Sequence, residues 1–185
     1  VMRCINNMTI VAPADNFEAS EVIKQAVNYN HPLYIRYGKK PMIDIHSGKT
    51  QFQIGKAIII EEGEDVALIA TGETVQRAFL ASQILKGNNI NPTIVSMHTI
   101  KPFDSETFLK IAKKSKVIVS IEEHSEFGGL GEQCASLLAQ NQINTNFKII
   151  GIPDEYMVNG SQSDVLDHYN MSPEKIANIT KSLID

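Results

Sequence analysis

Apolar residues along the chain recur in two alternating patterns: short β-branched runs, and longer stretches with apolar positions three and four residues apart. The first pattern predicts strands and the second predicts amphipathic helices that pack on them. Strands are predicted at residues 8–13, 32–38, 56–63, 65–72, 92–98, 116–123 and 147–153. Because strands alternate with helices and are apolar on both faces, the sequence predicts an α/β fold with a mostly parallel sheet covered on both sides.

Two of the predicted strands lie too close in sequence for a helix to connect them. Residues 56–63 and 65–72 are separated only by Glu64. Antiparallel neighbours can be joined by a very short turn, whereas parallel neighbours need a crossover of a dozen or more residues. We therefore predict an antiparallel hairpin at the edge of the sheet, which makes the sheet mixed.

Polar residues that can accept hydrogen bonds from free backbone amides stand immediately before four predicted helices. The predicted caps are Asp15, Asp104, Ser161 and Ser172. Asp15 also lies three residues before Glu18, in a capping-box arrangement. Residues 39–51 are polar and contain proline and glycine, which predicts a connecting passage without regular structure.

Composition excludes several classes of protein. The net charge of −4 provides no basic surface for nucleic acid and no polybasic arm for anionic lipid. The sequence has no apolar run of about 18 residues and no signal-peptide pattern, so we expect neither membrane insertion nor secretion. Cys4 and Cys134 do not make a disulfide framework, and Cys134 lies on an apolar helical stripe that predicts a buried thiol. These features favour a cytoplasmic protein.

The first residues of the chain have an unusual character. The sequence opens VMRCINNMTIVAPAD, without a convincing start and with a predicted strand inside the first ten residues. We expect that the chain is part of a longer polypeptide.

The segment EEHSEFGGLGE, residues 122–132, is the densest cluster of candidate chemistry. Its glycines could admit a phosphate to a helix start, but their G-G-x-G spacing matches no phosphate-binding motif and the neighbouring acids would repel an anion. Metal binding is disfavoured because strand alternation sends Glu122 and Glu123 to opposite faces, and no HExxH or CxxC is present. The spacing favours a structural strand-to-helix turn, and the sequence predicts no metal site.

A few other residues are candidates for ligand binding. His98 and His124 both follow predicted strands at their carboxyl ends, so they could meet in one crevice. Arg36 lies in the strand PLYIRYG beside Lys39 and Lys40, where an arginine can hold a carboxylate or phosphate with two parallel hydrogen bonds. The alternative is that Arg36 pairs with an acid of the protein or lies on an exposed edge of the sheet. No catalytic residue is predicted, since the sequence has no GxSxG nucleophile motif.

A resemblance to a known family rests on seven motifs, taken in their order and spacing over nearly the entire chain. The chain resembles the C-terminal half of thiamine diphosphate enzymes of the transketolase family. It is similar to the separate C-terminal subunit of split bacterial transketolases and to deoxyxylulose phosphate synthase. The motifs are NMTIVAPAD, PLYIRYGKKP, FQIGKA, DVALIATG, HTIKPFD, EEHSEFGGLGE and IGIPD.

The resemblance implies a division of the chain. Residues 1–42 would be the tail of a pyrimidine-binding domain, residues 43–54 a linker, and residues 55–185 a complete C-terminal domain. That domain would be a three-layer α/β/α sandwich around a mixed, mostly parallel five-stranded sheet. The glycine-rich turn at residues 122–132 would serve domain packing and dimer contacts.

The resemblance also implies where the cofactor and substrate would bind. The parent enzyme would use thiamine diphosphate and Mg²⁺, but neither is expected to bind this chain alone. The activating glutamate would lie upstream of Val1, and the metal-binding Gly-Asp-Gly motif does not occur in this sequence. Arg36 matches the family arginine that contacts the phosphate end of the substrate. Lys39 stands where relatives often have arginine, so it would keep the charge but lose the forked geometry.

The implied function is that of the C-terminal portion of an enzyme that transfers a two-carbon ketol unit between sugar phosphates. Its partners would be the remaining transketolase domains or an N-terminal subunit, within a homodimer. One alternative is a fragment of deoxyxylulose phosphate synthase, which condenses pyruvate with a triose phosphate. The other is a non-catalytic assembly or regulatory-ligand module that uses a crevice lined by Thr71, His98 and His124.

Overall fold

The computed structural model describes residues 1–38, 42–46, 48 and 50–184. The strands are Thr9–Val11 (β1), Leu33–Ile35 (β2), Ile58–Glu61 (β3), Val66–Ala70 (β4), Pro92–Ser96 (β5), Thr99–Lys101 (β6), Val117–Ser125 (β7) and Asn146–Ile152 (β8). The α-helices are Asn16–Ala26 (α1), Thr74–Lys86 (α2), Ser105–Ala112 (α3), Leu130–Gln140 (α4), Gln162–His168 (α5) and Pro173–Ser182 (α6). A short 3-10 helix spans Met2–Cys4.

The larger sheet has five strands in the order β3-β5-β4-β7-β8. Strands β5, β4, β7 and β8 are parallel, and β3 is antiparallel to β5. Alternation along β4 sends Leu68 into a core with α2 and α6, and sends Ala67 and Ile69 into a second core with α3 and α4. The predicted three-layer α/β/α sandwich around a mixed, mostly parallel five-stranded sheet is confirmed.

The predicted hairpin between residues 56–63 and 65–72 is wrong. Strand β3 pairs with β5, and β4 lies on the other side of β5. After β3 the chain crosses the amino end of β5, where the Gly63 N–H donates to the Thr93 hydroxyl and the Gly63 carbonyl accepts from it. A Cβ at Gly63 would lie 2.3 Å from the carbonyl oxygen of Asn91, so this crossing requires glycine. The short connection is therefore a bridge over one strand.

All four predicted helix caps are confirmed. The side chain of each predicted cap accepts a hydrogen bond from the backbone N–H three residues later, which satisfies a donor that the helix itself leaves free. The capping residues are Asp15, Asp104, Ser161 and Ser172. These helices therefore begin where the local sequence predicts.

A smaller sheet joins segments from both sides of the predicted domain boundary. Its strand order is β2-β1-β6, with β1 parallel to β2 and antiparallel to β6. Strand β6 comes from residues 99–101, well inside the segment 55–185, yet it pairs with the N-terminal strand β1. Strand pairing thus connects the segments on either side of residues 43–54. The boundaries at residues 42 and 55 remain predictions.

The connecting passage is anchored to the start of α1 by buried acids. The Asp15 carboxylate accepts hydrogen bonds from the backbone N–H groups of Ile45 and His46 at 2.9 and 3.3 Å. Glu18, which is fully buried, contacts His46 Nε2 at 2.8 Å and accepts from the Ser96 hydroxyl at 2.6 Å. One pair of carboxylates thus holds the passage against both α1 and β5.

The glycine-rich turn is organised by Glu122, which is 2% exposed at the end of β7. Its carboxylate accepts hydrogen bonds from the backbone N–H groups of Leu130 and Gly131 at 2.7 and 2.8 Å, so it caps α4. A Cβ at Gly129 would lie 2.0 Å from this carboxylate, which explains the need for glycine there. Burial raises the pKa of Glu122, while the hydrogen bonds from the Gly131 and Leu130 amides act in the opposite direction. In this structure the segment is a strand-to-helix turn.

In the described part of the chain, no helix is long and apolar enough to cross a membrane. Cys134 is buried on α4, as predicted, and burial raises the pKa of its thiol well above the ordinary value.

We predict that Glu122→Gln lowers the free energy of unfolding by about 1–3 kcal/mol, because glutamine offers one acceptor oxygen where two buried amides need one each. Urea unfolding at pH 7, followed by circular dichroism, measures the change. The matched control is Glu132→Gln, since Glu132 accepts from the exposed Gly128 amide of the same turn at 2.7 Å. The control should cost about 0.5 kcal/mol or less. Equal losses in the two variants would contradict the assigned capping role.

We also predict a pH-dependent contribution of His46 to stability. Burial acts to lower the pKa of His46, but the hydrogen bond and charge of Glu18, with the charge of Asp15, raise it above 6.5 overall. A raised pKa in the folded state means that this contribution is fully present below pH 6.5 and is lost as the pH rises through the folded pKa. The difference in unfolding free energy between wild type and His46→Gln should therefore shrink from pH 6 to pH 9.

Urea unfolding at stepped pH values measures this difference. The control is His31→Gln, because His31 is exposed. A wild-type advantage over His46→Gln that is constant with pH would refute the assigned ion pair.

Candidate functional site

The main candidate site is a cavity of about 390 Å³ at the carboxyl ends of β4 and β7. It is closed on its other side by residues of the small sheet. From β4 the chain continues to β5 on one side of the sheet, and from β7 it continues to β8 on the other side. The strand order therefore reverses between β4 and β7, which makes this the topological switch point of the sheet. Open α/β sheets bind ligands at such a switch point, outside the carboxyl ends of the strands. The position of the cavity is therefore that of a ligand site.

The walls of the cavity are largely apolar, and a few polar groups converge on it. Apolar contributions include Ile10 and Ala12 from the small sheet and Leu130 from α4. The polar lining groups are Arg3, Arg36, Thr71, Glu122, Glu123 and His124. An apolar cavity with a small number of convergent polar groups is the usual form of a small-molecule site.

Arg36 follows β2 and is held at the cavity by its backbone and its side chain. Its N–H donates to the Val11 carbonyl at 2.8 Å, which extends the pairing with β1. Its guanidinium lies 3.5 Å from Glu123 Oε2, with 41% of the arginine side chain exposed. The structure therefore shows the alternative considered for Arg36, in which it pairs with an acid of the protein, and 41% of its side chain is exposed. Phosphate binding by Arg36 stays a prediction. Lys39, the second predicted phosphate contact, lies outside the described residues.

Glu123 connects Arg36 to Gln162, the first residue of α5. Gln162 Nε2 donates to Glu123 Oε1 at 3.4 Å and also donates to Glu73. Glu123 Oε2 is buried, and among the described residues it contacts only Arg36, as an ion pair without hydrogen-bond geometry. Glu123 is thus a carboxylate with unused acceptor capacity at the cavity.

Thr71 lies at the carboxyl end of β4 and is 8% exposed. Its backbone carbonyl accepts from the Thr74 hydroxyl at 2.8 Å. Its own hydroxyl has no hydrogen-bond partner among the described residues. Buried hydroxyls are almost always hydrogen-bonded, so an unpartnered one that lines a cavity indicates a place for a ligand or water.

The two candidate histidines occupy different environments. His124 is exposed and lines the cavity, and its Nδ1 contacts the Ser125 carbonyl at 2.9 Å. His98 is fully buried and stacks on Phe52 with 4.2 Å between ring centroids, and it is not among the lining residues. Burial lowers the pKa of His98 despite the nearby charge of Glu18, which favours the neutral ring. The cavity therefore brings Thr71 and His124 together with Arg36, while His98 belongs to the core.

The glycine-rich turn does not fit a diphosphate. The amides at the start of α4 are occupied by Glu122, and the Gly128 amide donates to Glu132, so the glycine-rich turn has no free cradle for a phosphate. No group of three or more histidine, cysteine, aspartate or glutamate side chains in the described part of the chain could hold a metal.

Sequence reasoning missed two contacts of the cavity. Arg3 donates to the carbonyl oxygens of Gly128 and Gly129, both at 2.6 Å, and to Gln133 at 2.7 Å. This contact joins residues about 125 positions apart, so no local pattern could indicate it. The pairing of Glu123 with Arg36 had a partial signal, because strand alternation placed Glu123 on the face opposite Glu122.

Comparisons with known proteins agree with this architecture. Residues 55–176 match the family model described as transketolase, C-terminal domain. The chain is 40% identical over 180 residues to a protein of Methanocaldococcus jannaschii named as a transketolase C-terminal section, covering 96% of this chain and 56% of that protein. It is 34% identical over 178 residues to a 1-deoxy-D-xylulose-5-phosphate synthase of Caldanaerobacter subterraneus subsp. tengcongensis, covering 95% of this chain and 28% of that protein.

The solved structures include a split gene transketolase in an inactive beta4 tetramer. It superposes with a TM-score of 0.89 at 27% identity, covering 99% of this chain and 59% of that chain. The chain thus spans about half the length, or less, of the curated relatives described above. The family model and these identities place the fold and the sequence in one group: the chain belongs to the transketolase family, and its residues 55–176 correspond to the C-terminal domain of that family.

Proposed function

We propose that the chain is the substrate-phosphate-binding and assembly portion of an enzyme that transfers a two-carbon ketol unit between sugar phosphates. The observation that carries this proposal is the position of Arg36, whose side chain is 41% exposed, at a cavity on the switch point of the sheet. Family membership supports the reaction class. The diphosphate and metal sites are assigned to other domains or to an N-terminal subunit, since the residues here do not fit them.

In this proposal Arg36 binds and orients the phosphate end of the sugar substrate. A guanidinium can donate two parallel hydrogen bonds to a phosphate, which fixes direction as well as distance. The backbone bond from Arg36 to Val11 and the ion pair with Glu123 hold the side chain near the cavity before the substrate arrives. Lys39 would supply a second positive charge close to the same phosphate. The enzyme would work in the cytoplasm as a homodimer of the complete protein.

We predict that Arg36→Ala, in the enzyme reconstituted with its N-terminal section, raises KM for a phosphorylated acceptor by about 10- to 100-fold. This is the loss expected when a charge-assisted hydrogen bond of about 1.5–3 kcal/mol is removed. Steady-state kinetics with phosphorylated and unphosphorylated acceptors measures the effect, and only the phosphorylated acceptor should respond. Arg36→Lys should give an intermediate KM because it keeps the charge without the fork.

The control is Lys24→Ala, which removes one positive charge from an exposed ion pair on α1. Its KM should match that of wild type. An unchanged KM for phosphorylated acceptors in Arg36→Ala would reject the assigned role.

A second candidate function is that of 1-deoxy-D-xylulose-5-phosphate synthase, favoured by the 34% identity to such an enzyme over 95% of this chain. The two candidates differ in the donor, since this synthase would take pyruvate as its donor. Product analysis of the reconstituted enzyme with a triose phosphate, first with pyruvate and then without it, separates them. Product that forms only with pyruvate would replace the ketol-transfer proposal.

A further inference from the structure

The cavity holds three polar groups whose hydrogen-bonding capacity is not used within the described part of the protein. Two of them, the buried Thr71 hydroxyl and Glu123 Oε2, have no hydrogen-bond partner there. The third is Arg36, whose side chain is 41% exposed and forms an ion pair with Glu123 at 3.5 Å. Burying an acceptor or donor without a partner costs free energy, so such groups gain most from a ligand that complements them.

The remaining buried charges of the cavity are already satisfied. Arg3 makes three hydrogen bonds to the turn and to α4. Glu122 accepts from two backbone amides. Apart from the exposed His124, the chemistry that the cavity offers a ligand is therefore set by Arg36, Glu123 and Thr71.

These three groups ask for different complements in one molecule. Arg36 requires an anion, whereas Glu123 requires an O–H or N–H donor. Because Glu123 lies 3.5 Å from Arg36, its negative charge would repel a bare anion bound to Arg36. The Thr71 hydroxyl can donate or accept. Beside them, Ile10, Ala12 and Tyr34 form an apolar wall suited to the C–H face of a polyhydroxylated chain or ring. A free carboxylate offers Glu123 no donor, inorganic phosphate offers it only a P–OH on the anion itself, and an amine is repelled by Arg36.

We propose that Thr71 and Glu123 bind the hydroxyl groups of a phosphorylated sugar whose phosphate is held by Arg36. This inference rests on the proposed function and assigns to the C-terminal domain two residues that distinguish a sugar phosphate from a simple anion. Glu123 has a second effect: its charge pairs with Arg36 in the free protein and disfavours anions that bring no hydroxyl groups.

The test compares three probes on the full 185-residue chain: D-ribose 5-phosphate, D-ribose and inorganic phosphate. Isothermal titration calorimetry in a buffer free of phosphate and sulfate gives each Kd. Wild type should bind D-ribose 5-phosphate about 10-fold or more tightly than inorganic phosphate, as expected for two added hydrogen bonds. D-ribose alone should bind more weakly than either.

Two substitutions separate the roles of the hydroxyl and the carboxylate. Thr71→Val should weaken D-ribose 5-phosphate binding by about 3- to 10-fold and leave inorganic phosphate unchanged, and Thr71→Ser should restore wild-type behaviour. Glu123→Gln should tighten inorganic phosphate binding, because Arg36 is released from its ion pair, and should narrow the preference for the sugar phosphate. A purely structural role of Glu123 would not tighten binding of any probe.

Matched controls lie away from the cavity. Thr180 is buried on α6 and its hydroxyl donates to the Ile176 carbonyl, so Thr180→Val tests the general effect of removing a buried threonine hydroxyl. Glu64→Gln removes one negative charge from an exposed residue that precedes the amino end of β4. Both controls should keep the wild-type Kd for every probe.

The outcomes distinguish this inference from the function on which it rests. If wild type binds D-ribose 5-phosphate no more tightly than inorganic phosphate, or if Thr71→Val and Glu123→Gln behave like their controls, the inference is overturned. If Arg36→Ala then lost binding of both D-ribose 5-phosphate and inorganic phosphate, the phosphate role of Arg36 would still be supported. If wild type binds neither D-ribose 5-phosphate nor inorganic phosphate, the inference is overturned. The kinetics of the reconstituted Arg36 variants then decide the proposed function independently.

Discussion

Parallel pairing between β4 and β7 is the constraint on which the rest of the structure depends. These strands lie at the centre of the sheet, and every helix that covers the large sheet packs against cores to which β4 contributes. Because parallel neighbours end at the same edge, the pairing places Thr71 beside Glu122 and Glu123. The small sheet then covers this edge and adds Arg36. The cavity therefore results from the order of the strands. Its polar residues come from separate parts of the sequence and form no contiguous motif.

Two adjacent carboxylates at the end of β7 show how one strand can supply structure on one face and a binding group on the other. Glu122 is consumed by the amides of α4, so the helix start that would otherwise attract an anion is already neutralised. Glu123 points to the opposite side, toward Arg36. The glycine-rich turn therefore has no free amides at the start of α4 for an anion. The cationic side chain that we propose for phosphate binding, Arg36, follows a strand of the other sheet.

Features set by local sequence were predictable, and features set by contacts distant in sequence were not. Helix caps such as Asp15 and Ser161 and the apolar central strands depend on neighbouring residues, and they were predicted correctly. The β3–β4 hairpin failed because the close approach of Gly63 to Asn91 involves a strand that comes later in the chain. The neighbourhood of Arg36 also depends on a residue 87 positions away. His98 is buried against Phe52 while His124 is exposed, a difference that depends on contacts distant in sequence.

The pairing of β1 with β6 has a consequence for how this protein can be divided. A boundary drawn along the sequence between residues 42 and 55 passes between two segments that share a sheet and a small core containing Val11, Phe52 and Ile58. We therefore expect the two pieces of a chain cut in that passage to stay associated through strand hydrogen bonds and buried apolar surface. The N-terminal segment packs into the same folded unit as the residues after the passage. The predicted division of the sequence therefore does not coincide with a division of the packed structure.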